Sequence, residues 1–457
     1  MLTSSLTLKN RHQRTLSLTA LSLSYFMLLL DSTILNVALP SIEKQLHGSV
    51  ASLQWVVNSY TLVFASFLLS SGSIGDRYGV RRTFRLGLAI FTLASFLCSL
   101  SPTIEILVTA RVIQGLGAAL MVPASLSLIA HLFTEPQEQA KAVAIWAGIG
   151  SIAVAFGPTL GGLLVEFLGW RSVFLINIPF GILALLLTLF NLPATPERQE
   201  SSLDLPGQAL AILACCTLTY GLIEWGHVAP TELMMAFVIA IISGAAFIAV
   251  ERRRAHPMLP LSLFRSWRVS ATMLVGLVYQ FSFYSLIFVF SLFFQQFYGY
   301  RALEAGLAFM PQTILGSAAI LFATRWIMRW LRPRTSLAIG MLLGAVGMLV
   351  IFIGIHMGFL LIAVGEALVG VTASFIVTPM TTVILASVGK EQSGIASACL
   401  NAARQMGGVL GVALLGTVLG SQALFVGTEE ALFIMSGGFL LGFVLILSST
   451  NQPRRAG

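Results

Sequence analysis

Charge is scarce in this chain. Of its 457 residues only 10% are Asp, Glu, Lys or Arg, where a soluble domain carries about 25%. That shortfall excludes an ordinary water-soluble protein. Cysteine is scarce too. Cys98, Cys215, Cys216 and Cys399 all lie in apolar runs without C-x-x-C spacing, and read as small core residues rather than a metal or redox centre. There is no H-E-x-x-H, no G-x-S-x-G and no acidic pair placed to hold a catalytic metal, so the chain does not read as an enzyme. A Walker A sequence is also missing, which excludes direct use of ATP by this chain. No cofactor or metal ion is expected.

What the chain has in abundance is apolar residue: 57% hydrophobic, with a mean hydropathy of +0.90. Crossing a bilayer takes about 20 mainly apolar residues. Fourteen such spans are predicted near 17–39, 52–72, 83–101, 104–131, 143–166, 172–192, 207–226, 232–250, 269–296, 305–328, 336–354, 359–388, 394–422 and 431–449. The chain is read as all-helical because backbone groups in lipid must be satisfied within each segment. The polar, basic start (Met1 to Thr15) leads into a long apolar run containing Asp31, Asn36 and Pro40. That reads as a retained helix rather than a cleaved signal.

The net charge of +8 does not point to nucleic acid, because the basic residues alternate between loops instead of covering one face. One set of loops carries Arg77, Arg81, Arg82, Arg85, Lys141, Arg198, Arg252, Arg253, Arg254, Arg265, Arg268, Arg325, Arg329, Arg332, Arg334 and Lys390, with Arg454 and Arg455 in the tail. The other set carries only Lys44, Arg171 and Arg301. By the positive-inside rule both termini are cytoplasmic. A weak internal repeat relates Glu138-Gln139 and the glycines that follow (Gly148, Gly150, Gly157, Gly161) to Glu391-Gln392 and Gly394, Gly407, Gly408 and Gly411. Two similar six-helix halves are a common transporter plan. This divides the chain into a first half at 1–195, a linker with two inserted helices at 196–262, and a second half at 263–457. The polar stretch Ala194–Gln208 reads as the linker.

The segment Gly72-Ser-Ile-Gly-Asp-Arg-Tyr-Gly-Val-Arg-Arg82 resembles the signature loop of the major facilitator superfamily. Gly72 and Gly75 would let helices approach closely, and Gly79 would permit a tight turn. Asp76 is the lone acid among Arg77, Arg81 and Arg82, and the resemblance implies that it latches the outward-open state. Three further stretches resemble the fourteen-helix drug:proton antiporter branch, of the EmrB/QacA type. They are Leu30 to Pro40 (LDSTILNVALP), Arg111 to Gly117 (RVIQGLG), and the run ending Gly157-Pro158-Thr-Leu-Gly161-Gly162. Trp170 to Pro179 and Asn401 to Gly408 add to it. The fold implied is an all-α major facilitator fold of two six-helix halves plus two inserted helices.

Asp31 falls near mid-depth, where an ionised carboxylate costs several kcal/mol unless paired or hydrated. It is the candidate proton-coupling residue, with Arg111 as electrostatic partner and Gln114 and Gly115 on the same helix face. Glu366, also deep in an apolar run, is a second candidate for a proton or cation, or else a water-facing structural residue. Glu224, beside Trp225, reads as interfacial. Arg404 is partnered by Asn401 and Gln405, or snorkels to the cytoplasm. The ninth span is dense in aromatics, most of which pack on lipid or neighbours. A pocket wall of Trp55, Asn58, Tyr60, Phe283, Tyr284, Gln296 and Asn401 would suit flat amphipathic molecules, in particular cations. The resemblance implies an inner-membrane antiporter, working as a monomer in the lipid bilayer, that exports small amphipathic substrates against protons. A dedicated exporter of one metabolite or siderophore would carry the same motifs, and nothing in them specifies a periplasmic adaptor or outer-membrane channel.

Overall fold

The computed structural model describes residues 11–193, 204–254, 258–388 and 393–449. Most of the expected linker, the Glu391-Gln392 half of the repeat, and Lys9, Arg198, Lys390, Arg454 and Arg455 lie outside the described residues. Among the described residues all regular structure is helical, in fourteen membrane-length elements. In chain order these are α1 (Arg11–Leu46), α2 (Val50–Tyr78), α3 (Val80–Leu100), α4 (Ile104–Leu132), α5 (Pro136–Leu168), α6 (Ser172–Asn191) and α7 (Leu205–Ile223). They continue with α8 (Pro230–Arg253), α9 (Trp267–Phe297), α10 (Ala302–Ala308 and Met310–Trp330), α11 (Pro333–Met357), α12 (Phe359–Ser387), α13 (Ser393–Gly420) and α14 (Leu424–Ser448). Twelve are continuous; α2 bends by 61° and α10 by 41°.

Local chemistry sets the ends. Ser49 and Ser52 form a capping box at the start of α2, and Thr103 caps α4, each satisfying amide groups that a helix start leaves free. Gly79 ends α2 and begins α3 with φ +90°, a conformation that a side chain makes costly. The glycine of the signature loop is therefore a turn, as the sequence suggested. Gly72 is different: a Cβ there would meet nothing within 4 Å. The expected close helix approach at Gly72 is absent in this conformation, because the residue sits on an open face of the last turns of α2.

The two halves, α1–α6 and α9–α14, repeat one packing scheme. In the first, α5 lies on α1; in the second, α13 lies on α9. Each of these glycine-rich helices also crosses to the other half, α5 onto α10 and α13 onto α2. Glycine makes this double duty possible, since lipid supplies no hydrophobic force between helices and close backbone contact must. A Cβ on Gly161 would lie 2.7 Å from the Ile34 carbonyl of α1, and one on Gly162 would lie 2.9 Å from Leu303 Cα in the first turn of α10. Successive glycines of α5 thus serve the two halves separately. The inserted α7 and α8 pack on each other, and α7 leans on α2 and α13. Met234, Met235, Ile241 and Ile242 of α8 are exposed.

Fourteen crossings place the start of α1 and the end of α14 on one face of the molecule, the terminal side; the other is the far side. Several hydrogen bonds join the halves from mid-depth to the far side. Gln54 Nε2 donates to the Val412 and Ala413 carbonyls at 2.8 and 2.6 Å. Ser291 Oγ donates to the Asn36 carbonyl, and Gln295 Nε2 to that of Val37 at 3.0 Å. Thr159 Oγ1 reaches the Gly306 carbonyl, and Arg301 pairs with Glu166 at 3.1 Å. The α5–α10 seam is therefore tight at the far side. Replacing Gly162 by Leu should wedge it open, so that a cysteine introduced at the buried Ala302, whose carbonyl faces Gly162, becomes more reactive toward a membrane-impermeant maleimide. Unchanged labelling would count against this account of the seam.

Candidate functional site

Asp31 lies about 30 Å along α1 from Arg11 and is 1% exposed. Its carboxylate is fully provided for. Oδ2 accepts from Arg111 at 2.5 Å, and Oδ1 accepts from Gln114 Nε2 and Asn177 Nδ2, each at 2.9 Å. Arg111, also 1% exposed, donates from Nε to the Val56 carbonyl at 3.1 Å and from Nη1 to Gln114 Oε1 at 2.8 Å. Its guanidinium carbon stands 4.2 Å from the centre of the Tyr60 ring. Ser95 Oγ accepts from Asn177 at 3.0 Å and donates to the Phe174 carbonyl. Five helices of the first half, α1, α2, α3, α4 and α6, contribute.

The local sequence explains the convergence. Arg111 and Gln114 are three apart on α4 and so share a face. Gly115 follows, and a Cβ there would lie 2.5 Å from the Tyr60 carbonyl. Its hydrogen side chain lets α2 come close enough to set the Tyr60 ring over Arg111. Desolvating two charges costs several kcal/mol each unless pairing and hydrogen bonds compensate. Here three N–H donors meet one carboxylate.

Beside this cluster, the halves leave a gap no larger than a water molecule. Ser32, Asn58, Tyr60, Thr61 and Arg111 line it from the first half, and Tyr284, Gly408 and Val412 from the second. Both polar atoms of the Asn58 amide and the Tyr60 hydroxyl are buried without a hydrogen-bond partner. An unsatisfied polar gap thus lies at the seam of the two similar halves, the place where carriers built from repeats hold their substrates.

A sequence model of the Major Facilitator Superfamily matches residues 21–412 and 272–456. The chain belongs to that superfamily. The methylenomycin A resistance protein of Streptomyces coelicolor is 33% identical over 441 residues, covering 96% of this chain and 93% of that protein. The multidrug resistance protein Stp of Mycobacterium tuberculosis is 37% identical over 409 residues, covering 88% and 75%. Among solved structures, a bacterial homolog of the human lysosomal transporter Spinster superposes with a TM-score of 0.71 at 15% identity, over 96% of this chain and 97% of that one. This superfamily member is a multi-pass membrane transporter, not an enzyme.

The remaining residues singled out in the sequence separate into groups. Of the expected pocket wall, Asn58, Tyr60 and Tyr284 line the gap, and Phe283 stacks edge-on against Tyr284. Trp55 does not line it: it points to α7 and donates to Glu224 at 3.0 Å. Gln296 is also elsewhere, at the exposed far end, donating to Glu43 at 2.6 Å. Trp55 departs because its face of α2 is turned toward α7, and Gln296 because it lies about three turns beyond Tyr284 along α9. Asn401 is exposed and accepts from Arg404 at 3.4 Å. The other partner of Arg404 is Gln280 of α9, not Gln405. Most aromatics of the ninth span pack on protein: Phe288, Phe290, Phe293 and Phe294 are fully buried.

Glu366 is 0% exposed on α12, with neither carboxylate oxygen hydrogen-bonded; it is no part of the Asp31 cluster. In the signature loop of this superfamily member, Asp76, Arg77 and Arg82 are exposed on the terminal side. Arg81 donates to the Leu192 carbonyl at 2.8 Å, neutralising the carbonyl end of α6. Gly157, Pro158, Gly161 and Gly162 form the two-sided face of α5 described above, and the Pro158 carbonyl lies against Gly306 of α10. Sequence reasoning gave Asn177 and Ser95 no role. Asn177 stood inside a quoted motif, so an amide in a long apolar run was the available signal; a serine such as Ser95 carries none.

Replacing Arg111 by Ala leaves a buried carboxylate without its counter-charge, at a cost of about 3–5 kcal/mol. Thermal unfolding in detergent should show a large loss for Arg111→Ala, and a smaller one when Asp31→Asn is added. A double variant less stable than Arg111→Ala alone would overturn the pairing.

Proposed function

We propose that this transporter is a proton-coupled antiporter exporting amphipathic organic compounds across a bacterial inner membrane, with both termini cytoplasmic. The observation that carries this is the buried Asp31–Arg111 pair at mid-depth, whose guanidinium also lines the gap between the halves. Arg111 cannot serve Asp31, the Val56 carbonyl and an incoming ligand in one geometry. When Asp31 takes a proton, Arg111 loses its counter-charge and the hold of α4 on α1 weakens. Proton and substrate thereby favour different arrangements of the halves, as coupling requires. The seam closed at the far side fits a state facing the cytoplasm. Residues 1–195 and 263–457 would rock about α5 and α13, with 196–262 as an added unit and Asp76 latching the opposite state. Glu366, desolvated and unpartnered, is the second candidate proton site, and a monomer contains every part used.

Breadth of substrate has two readings. A multidrug exporter fits the name of one relative, and an exporter of a single compound fits the methylenomycin A resistance protein, which aligns along nearly its whole length. A cationic substrate, expected from the aromatic residues, would call for a carboxylate free to face it, and Asp31 is already engaged by Arg111, Gln114 and Asn177.

In everted vesicles, Asp31→Asn should abolish dye transport driven by a pH gradient while the protein stays folded. Glu366→Gln should reduce it. Undiminished coupled transport in Asp31→Asn would sink the assignment.

A further inference from the structure

Arg404 is a charge without a counter-ion. It is the twelfth residue of α13, about 16 Å from the helix start, too deep to lie among headgroups. Among the described residues it forms no ion pair. Its Nη atoms reach only the amide oxygens of Asn401 and Gln280, both at 3.4 Å, and its Nε is buried with no partner. A guanidinium at such depth is costly, and functional by default.

Its surroundings face the seam. The Arg404 stem packs at Gly276 of α9. The charge is close enough to act on Tyr279 and, from the other half, on Tyr25. Tyr25 is stacked on Trp146 of α5, with ring centres 3.7 Å apart. Arg404 lies one turn before Gly408 on α13, and Gln280 one turn before Tyr284 on α9, so both stand just toward the terminal side of the gap. Asp31, the carboxylate nearest the gap, is consumed by Arg111. The approach to the site therefore carries uncompensated positive charge between flat aromatic rings. A guanidinium fork matches a carboxylate in two parallel hydrogen bonds, and the Tyr284 ring, which lines the gap, offers a stacking surface to a planar frame.

We propose that Arg404, with Gln280, Tyr25 and Tyr284, is an anion-recognition subsite, and that the substrates are planar organic acids bearing a carboxylate. This rests on the exporter reading and names its substrate class. The long contacts to Asn401 and Gln280 hold the guanidinium until the acid replaces them.

Two dyes sharing the xanthene frame test it: anionic carboxyfluorescein and an esterified, cationic rhodamine. Binding is read by fluorescence anisotropy on the full chain in nanodiscs, and transport in everted vesicles under a pH gradient. Wild type should bind the anion more tightly. Arg404→Gln should weaken anion binding about tenfold, the value of one charge-assisted contact, with rhodamine binding unchanged, and Arg404→Lys should restore part of it. Anion binding undiminished in Arg404→Gln, equal weakening of both dyes, or a wild-type preference for rhodamine would each overturn the proposal. Coupled rhodamine transport without anion binding would overturn it and leave the exporter reading standing. Anion binding lost in Arg404→Gln, with no coupled transport of either dye by wild type, would support the subsite and count against the exporter reading.

Discussion

A carboxylate and a guanidinium buried at mid-depth in a membrane protein cannot be left to solvent, and the first half is assembled around that constraint. Asp31 and Arg111 are each 1% exposed, and polar groups from all five helices around them are recruited. Gln114 bridges the pair, Asn177 completes the carboxylate, and Ser95 ties the amides to the Phe174 carbonyl. The pair is thus the place where five helices are held in register. A low-dielectric network of this kind loses more than one bond when one charge is removed.

The second half repeats the geometry without the pair. α4 and α12 are each 29 residues long, and Arg111 and Glu366 are each the eighth residue. Gly115 of α4 approaches the Tyr60 backbone of α2, and Gly370 of α12 approaches the Gln312 backbone of α10. Glu366 therefore occupies the counterpart of the Arg111 position with the opposite charge. Its two oxygens and the Gln312 amide are all unpartnered. One half carries a satisfied ion pair and the other an unsatisfied acid, on a shared scaffold.

Glycine carries the close contacts between helices. On α5 the glycines alternate between α1 (Gly157 at the Thr33 side chain, Gly161 at the Ile34 carbonyl) and α10 (Gly162), and α13 does the same between α9 (Gly407, Gly411) and α2 (Gly416, at the Gln54 side chain). Each of these contacts is closer than a side chain larger than hydrogen would permit, so the helices pack at backbone range. α7 lies outside this seam yet bonds to both sides of it. Gln208 donates to the Ser66 carbonyl of α2, and the Leu222 carbonyl accepts from Thr417 of α13. The inserted pair is therefore tied to the crossing helices rather than to lipid alone.

Much of this was legible in the residues themselves. Spans, fold class and the turn at Gly79 follow from local rules: apolar length, backbone satisfaction in lipid, and a φ that only glycine takes cheaply. Asp31 and Arg111 were legible because charge in an apolar run has so few tolerable explanations. What the tertiary structure decided is how helices are rotated against each other. Rotation turned Trp55 toward Glu224 and away from the gap, left Gly72 uncovered, gave Arg404 the company of Gln280 and Tyr25, and brought Asn177 and Ser95 to the carboxylate. The physical reason is one of range. A sequence records what each segment needs from its surroundings, but the partner that meets the need stands on another helix, tens or hundreds of residues away, and only packing selects it.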